Sequence, residues 1–147
     1  MKNYWQGKRI ALRGLEPSDA PFFLEWNQET LTQQNLDQIW FPSSLARVEE
    51  WAHKQALKPV DDDSYFFVIT QLSGEPVGMI HTNDCDKKNG HFGYGLGVTA
   101  DHRKMGYASE AIRMVLSYYF NQLRYHKAIV GVYGFNEASI PRIDHFS

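Results

Sequence analysis

The sequence is poor in cysteine, in charge of one sign and in long apolar runs. Cys85 is the one cysteine in 147 residues, which excludes an intrachain disulfide and a thiolate metal cluster. The 15 basic residues nearly balance 17 acidic ones, for a formal net charge of -2. That balance leaves no electrostatic footprint for nucleic acid or for an anionic membrane, and neither is expected as a partner. No apolar stretch reaches the roughly 18–20 residues that span a bilayer. The segment from Met1 to Arg9 lacks the apolar h-region of a signal peptide, so a cytoplasmic protein is expected. The phosphate loop G-x-x-x-x-G-K-[ST] is missing, and so is G-x-G-x-x-G after a strand. There is no internal repeat and no low-complexity segment. What is present is globular: 43 % apolar and 22 % charged residues, in a length that suits one domain.

Order along the chain carries the rest. Arg9 to Arg13 alternates polar and apolar residues and reads as a first strand. Pro17-Ser18-Asp19 starts a helix, with Ser18 as the expected N-cap and Phe22, Phe23 and Trp26 at helical spacing. The Gln- and Asn-rich stretch from Thr30 to Trp40 is ambiguous. Ser44 is placed to cap a second helix that shares Leu45, Val48, Ala52 and Gln55 on one face, with Trp51 beside them, and ends before Pro59. Tyr65 to Thr70 is aromatic and β-branched, a strand buried on both faces. A turn at Ser73 to Pro76 leads to a strand over Val77 to Thr82. Asp86 to Gly90 is a hairpin loop, with Asn89-Gly90 suited to positive φ, and His91 to Val98 returns. Ala108, Ala111, Ile112, Val115, Leu116, Tyr119, Phe120 and Leu123 follow the helical period closely. Ser109, Glu110, Arg113, Ser117 and Asn121 form the wet side of that helix. Lys127 to Tyr133 is a last strand. Helices, then a meander, then strand–helix–strand imply a mixed α/β domain with a largely antiparallel sheet.

Two segments carry chemistry. In the strand from His91 to Val98, Phe92, Tyr94, Leu96 and Val98 share one face, while His91, Gly93, Gly95 and Gly97 share the other. The second face is nearly bare, which permits close approach of a ligand or of another backbone. Then a basic loop, Arg103-Lys104-Met105-Gly106-Tyr107-Ala108, opens directly into the long helix. A helix N-terminus presents unpaired N–H groups and a partial positive charge, so it binds anions. Gly106 frees the backbone to turn those groups inward, and a pyrophosphate is the natural guest.

Arg103-x-x-Gly106-x-Ala108, after a strand and before an amphipathic helix, resembles the acetyl-coenzyme A loop of the GNAT family of N-acetyltransferases. Arg13-Gly14-Leu15-Glu16-Pro17-Ser18-Asp19-Ala20 resembles that family's first strand and first helix entry. Gly106-Tyr107-Ala108-Ser109-Glu110-Ala111 and Asn136-Glu137-Ala138-Ser139-Ile140 are similar to the branch holding ribosomal-protein and spermidine acetyltransferases. The resemblance covers nearly the whole chain and implies acetyl transfer from acetyl-CoA to a primary amine, either a protein N-terminus or a small amine. It implies a pyrophosphate site on the amides of Arg103, Lys104, Met105, Gly106, Tyr107, Ala108 and Ser109, and pantetheine beside Leu96, Gly97 and Val98. An N–H near Val98 would polarise the thioester carbonyl. Asn136 resembles a coenzyme contact, and Ser139 matches the position of the acid that protonates the leaving thiolate. The base stays open among His91, His81, Tyr94 and Asp84, with His91 the leading candidate beside Ser139 for the proton steps.

Other readings use the same residues. Cys85 opposite His91 across the hairpin would form a thiol–imidazole pair. His81, Asp84, Asp86 and His91 hold metal-ligand side chains, but the acids lie at the loop rather than on one face, so no metal is expected. Trp26, Trp40 and Phe41 are candidates for an acceptor pocket. After Ser139 the sequence reads Ile140 to Ser147 and departs from the family's closing helix and strands, so a C-terminally incomplete domain is expected. In such a chain the strand from Lys127 would lack its outer neighbour, and a homodimer through that edge is expected. A coenzyme A-binding module with impaired catalysis, or an interaction domain that only keeps the fold, are the competing classes.

Overall fold

The computed structural model describes residues 3–34 and 44–130, with side chains described except for 28–34 and 130. The chain forms two compact units, Met1–Arg13 with Val60–Ser147, and Gly14–Pro59.

In the first unit lies a sheet of five strands: β1 (Ile10–Gly14), β2 (Phe66–Gln71), β3 (Pro76–Asp86), β4 (His91–Val98) and β5 (Lys127–Val130). They lie side by side in chain order. The pairs β2–β3 and β3–β4 are antiparallel, and β4–β5 is parallel. The parallel step needs a crossover, and the helix Tyr107–Asn121 supplies it. Its apolar stripe is buried from Ala108 to Tyr119, with Ala111, Ile112 and Val115 fully covered, while Phe120 is half-buried and Leu123 lies beyond the helix end at Asn121. That stripe packs with Ile80 of β3 and with Phe92, Tyr94, Leu96 and Val98 of β4 in one core. The mixed α/β, mostly antiparallel architecture read from the sequence is the one observed.

The second unit holds α1 (Ala20–Gln34) and α2 (Leu45–Leu57); the crossover helix is therefore α3. Ser44 caps α2 as expected, its hydroxyl accepting from the Arg47 N–H at 3.2 Å. Val48 and Ala52 are buried, and Phe23 meets Trp51 edge-on with ring centroids 5.4 Å apart. Leu45 of the same stripe is 43 % exposed.

Four sequence readings change. The entry to α1 is a 3-10 turn at Pro17–Asp19 capped from Glu16, not from Ser18. Buried Asp19 accepts from the Glu16 N–H at 2.8 Å, because a carboxylate three residues on reaches the cap amide better than a hydroxyl inside the turn. The ambiguous stretch is helical through Gln34, and residues 35–43 lie outside the described ones. Strand β3 runs on to Asp86, past the expected end at Thr82, with a register shift between Asn83 and Asp86 and Asp84 at φ 48°. In the β3–β4 hairpin Gly90 takes positive φ (75°), whereas Asn89 does not. Asn89 is held instead by Asp86, whose carboxylate accepts from both its backbone and side-chain N–H groups at 3.0 and 2.8 Å.

A buried polar node ties these elements together. The Thr82 hydroxyl lies 2.8 Å from the Tyr119 hydroxyl and accepts from the Tyr65 N–H at 2.9 Å. Tyr119 also donates to the Asp63 carbonyl. Thr82→Val keeps the shape and removes the acceptor, leaving the Tyr65 N–H unsatisfied. Tyr65 is exposed and the Tyr119 hydroxyl keeps the Asp63 carbonyl, so the expected loss is about 0.5–1.5 kcal/mol, that of one hydrogen bond. It should read as a lower denaturation midpoint with an unchanged slope.

Candidate functional site

The site begins where β4 ends. Thr99 donates to the Val77 carbonyl at 2.9 Å, closing the last rung of the hairpin. A 3-10 turn, Ala100–His102, follows, with the Thr99 hydroxyl 2.8 Å from His102 Nδ1. The chain then reverses through two left-handed residues, Lys104 (φ 64°) and Gly106 (φ 82°), on either side of exposed Met105. Left-handed backbone is costly for most residues, and Gly106 adopts it at no steric cost. Gly106 is the N-cap of α3 and contributes no side chain to it. The first i to i+4 bond runs from the Glu110 N–H to the Gly106 carbonyl, so the amides of Tyr107, Ala108 and Ser109 precede the helical ladder. Three amides and a helix dipole thus meet at one turn, and Arg103 and Lys104 lie in the loop that leads into it. That is the chemistry of an anion cradle. Tyr107 braces it: its ring stacks on His102, and its hydroxyl accepts from Gln71 Nε2 at 3.2 Å.

The glycine face of β4 runs up to this turn. Gly93, Gly95 and Gly97 sit opposite Asn83, His81 and Met79 of β3. The other face carries Phe92, Tyr94, Leu96 and Val98, all core. Next to the loop the strands approach very closely. A Cβ on Gly78 would lie 2.2 Å from the Gly97 carbonyl oxygen.

The histidines separate along this strand. His91 is at the opposite end of β4, seven residues from Val98, about 23 Å at the usual rise per residue. There its Nε2 lies 3.5 Å from an Asp86 carboxylate oxygen. The structure does not bring His91 together with the loop. His81 sits directly across from Gly95, stacked on Phe66. Burial holds its pKa below the ordinary value, so the ring is neutral at pH 7. Its Nδ1 is 3.4 Å from Asn83 Nδ2, longer than a firm hydrogen bond. Trp26 is buried among Phe22 and Phe23. Asn136, Ser139, Trp40 and Phe41 lie outside the described residues.

Cys85 does not pair with His91. The register shift puts Asp86 opposite His91, and the Cys85 thiol points to the Asn83 carbonyl. Burial, with Asp63 and Asp62 nearby, pushes the thiol up to about 11 from 9.0. The thiolate is the nucleophile, so alkylation at pH 7–8 should run roughly a hundredfold slower than for an ordinary cysteine. The rate should climb up to about pH 11; a plateau near pH 9 would contradict this. Because the folded protein holds this proton above the unfolded pKa, the group's stabilising contribution is present below about pH 9 and is lost between there and about pH 11.

Comparison with known proteins identifies the fold and the family. A profile of the acetyltransferase (GNAT) domain matches residues 9–141. The chain belongs to that family. It is an acyltransferase by this membership, as the resemblance read from the loop and helix entry implied. It is 39 % identical to an uncharacterized N-acetyltransferase, YokL, derived from a prophage of Bacillus subtilis (strain 168), over 93 % of this chain and 74 % of the relative. A mutant of the spermidine N-acetyltransferase SpeG from Vibrio cholerae shares the fold, with a TM-score of 0.66 and 22 % identity over 92 % of this chain and 77 % of that one. So does the microcin self-immunity acetyltransferase MccE, solved with acetyl-CoA and AMP, with a TM-score of 0.70 and 14 % identity over 84 % and 69 %. Among the described residues no helix is long and apolar enough to cross a membrane.

Sequence reasoning missed one feature of the site. Glu110, assigned to the wet side of α3, has its Oε2 bonded to the backbone N–H groups of Arg9 and Ile10 at 3.0 and 3.2 Å. The partners are 101 and 100 residues away, and no local pattern reports a contact at that range.

Proposed function

We propose that this acetyltransferase moves the acetyl group of acetyl-CoA directly to a primary amine, with both substrates bound at once. The observation that carries this reading is the left-handed turn at Lys104–Gly106, which leaves the first amides of α3 outside the helical ladder just after β4. The pyrophosphate rests on the amides of Arg103 to Ser109, with Arg103 and Lys104 supplying counter-charge. The thioester end lies along Leu96, Gly97 and Val98 at the end of β4, where Gly95 and Gly97 are buried and carry no side chain. Acetyl-CoA supplies an activated acyl group; the protein's own contribution is alignment.

The proton account is simple. An N–C bond forms as the C–S bond breaks, the nitrogen loses one proton and the sulfur gains one. His81, neutral and facing the glycine stripe, takes the proton from the amine, directly or through one water. Ser139 returns a proton to sulfur, and Asn136 contacts the coenzyme. In this reading His91, remote from the loop, has no part. The acceptor is an alkylamine or a peptide N-terminus; SpeG is named for spermidine, which makes polyamines a natural first panel. We further propose one domain, acting in the cytoplasm. A second copy is proposed to join along β5, the last strand of the described sheet, where Ile129 is 46 % exposed. Light scattering is expected to give twice 17.0 kDa, and a 17.0 kDa particle would count against the dimer.

The test is steady-state thiol release with acetyl-CoA and a panel of spermidine, small amines and peptides. Amine-dependent release with intersecting double-reciprocal lines is expected. Parallel lines would point to an acyl-enzyme, and binding without release would leave a coenzyme-binding module.

A further inference from the structure

The turn that precedes β1 is physically joined to the anion cradle. Gly7 donates to the Ile10 carbonyl at 2.8 Å and closes a tight reversal. Beyond Lys8, the amides of Arg9 and Ile10 both donate to Glu110 Oε2, in the first turn of α3. Gly7 is pressed against the same carboxylate: a Cβ there would lie 2.0 Å from Glu110 Oε2. From this anchored backbone the Arg9 side chain reaches the cradle itself. Its Nη1 donates to the Met105 carbonyl at 3.4 Å and lies 2.4 Å from where a Cβ on Gly106 would be.

The electrostatics of Glu110 point the same way. A carboxylate in the first turn of a helix that receives an anion opposes that anion. Here its oxygen is spent on two backbone amides of another segment, and the Arg9 guanidinium sits over the turn in return. Bonds from backbone amides to an ionised carboxylate are stronger than those between neutral groups, and two of them on one oxygen hold the short turn before β1 in place.

We propose that Glu110, Arg9 and Gly7 form a latch that pre-sets the Met105–Gly106 turn for its anion, with Glu110 and Arg9 as positioning residues for the acetyl-CoA pyrophosphate. The proposal rests on the reading of that turn as the pyrophosphate site. A pre-set cradle binds more tightly because less order is lost on binding.

The test combines a readout that needs no ligand with one that does. Amide hydrogen exchange at residues 104–108 is measured in the ligand-free protein, with KM for acetyl-CoA and kcat measured separately. Glu110→Ala removes the acceptor. Gly7→Ala keeps the carboxylate and pushes it aside. Arg9→Gln keeps the anchored amide and removes the guanidinium. All three should speed exchange in the turn about tenfold and raise KM for acetyl-CoA about five- to twentyfold, with kcat within about twofold. Glu110→Gln, which retains an oxygen acceptor, should stay near the parent and guards against a simple folding defect. Arg9→Gln combined with Glu110→Ala should be little worse than either alone. Unchanged exchange at 104–108 in Arg9→Gln and Gly7→Ala would overturn the latch, as would equal falls in kcat and kcat/KM. If the turn loosens but the parent protein binds no acetyl-CoA, the latch stands and the pyrophosphate reading fails.

Discussion

Gly106→Asp is expected to lower the affinity for acetyl-CoA by about a hundredfold or more while leaving the fold intact. The two halves of that statement have separate causes. Aspartate tolerates left-handed backbone better than most residues and is a favoured N-cap, so φ 82° at the head of α3 is an acceptable place for it. The atom its Cβ would meet is Arg9 Nη1, at 2.4 Å, the free end of a long side chain that can swing away. Binding is another matter. A new carboxylate about 5 Å from a phosphate costs roughly 3 kcal/mol per charge at an effective dielectric near 20. Each 1.4 kcal/mol is tenfold in affinity, so even one such repulsion reaches a hundredfold. Calorimetric titration alongside thermal melting checks both halves. Affinity within threefold of the parent, with an unchanged melting curve, would remove the pyrophosphate from this turn.

Gly78→Val is expected to damage both stability and turnover. The ideal Cβ at this position lies 2.2 Å from the Gly97 oxygen, 3.0 Å from Val98 Cα and 3.2 Å from the Gly97 carbonyl carbon. All three are backbone, so no rotamer change relieves the clash. Strand β4 must move, and the bond from the Thr99 N–H to the Val77 carbonyl beside it is strained or lost. Overpacking of this kind costs about 1–3 kcal/mol, and each broken bond adds about 1 kcal/mol. A loss near 3 kcal/mol corresponds to a drop of about 6–12 °C in Tm for a chain of this size. The displaced strand end is also where the thioester lies in our reading, so kcat/KM should fall at least tenfold. A melting temperature within about 2 °C of the parent would show that β3 and β4 are less tightly apposed than described.

The contrast between these glycines explains what the sequence could and could not disclose. Gly106 was legible because its role is local: a basic loop, a glycine and the start of a periodic helix lie within a few residues. The core face of β4 and the buried stripe of α3 were legible for the same reason, since period 2 and period 3.6 are properties of neighbouring residues. Gly78 gave no signal, because its constraint comes from Gly97 across the hairpin. Glu110 looked solvated because a charged residue off the apolar stripe usually is, and its partners at Arg9 and Ile10 arrive only through the tertiary fold. The sequence reading favours His91 over His81; the register reverses that order, placing His81 across from Gly95 and His91 at the far end of β4. Cys85 was misaligned by a single irregularity between Asn83 and Asp86, which no alternation pattern announces.

In the function proposed here the first amides of α3 receive the pyrophosphate of acetyl-CoA. The most direct measurement is a titration of isotope-labelled protein with acetyl-CoA, following each backbone amide by NMR. Saturable shifts are expected, largest at Gly106, Tyr107, Ala108 and Ser109 and smaller at Leu96 to Val98. Saturable binding that leaves the amides of 106–109 unmoved would contradict it.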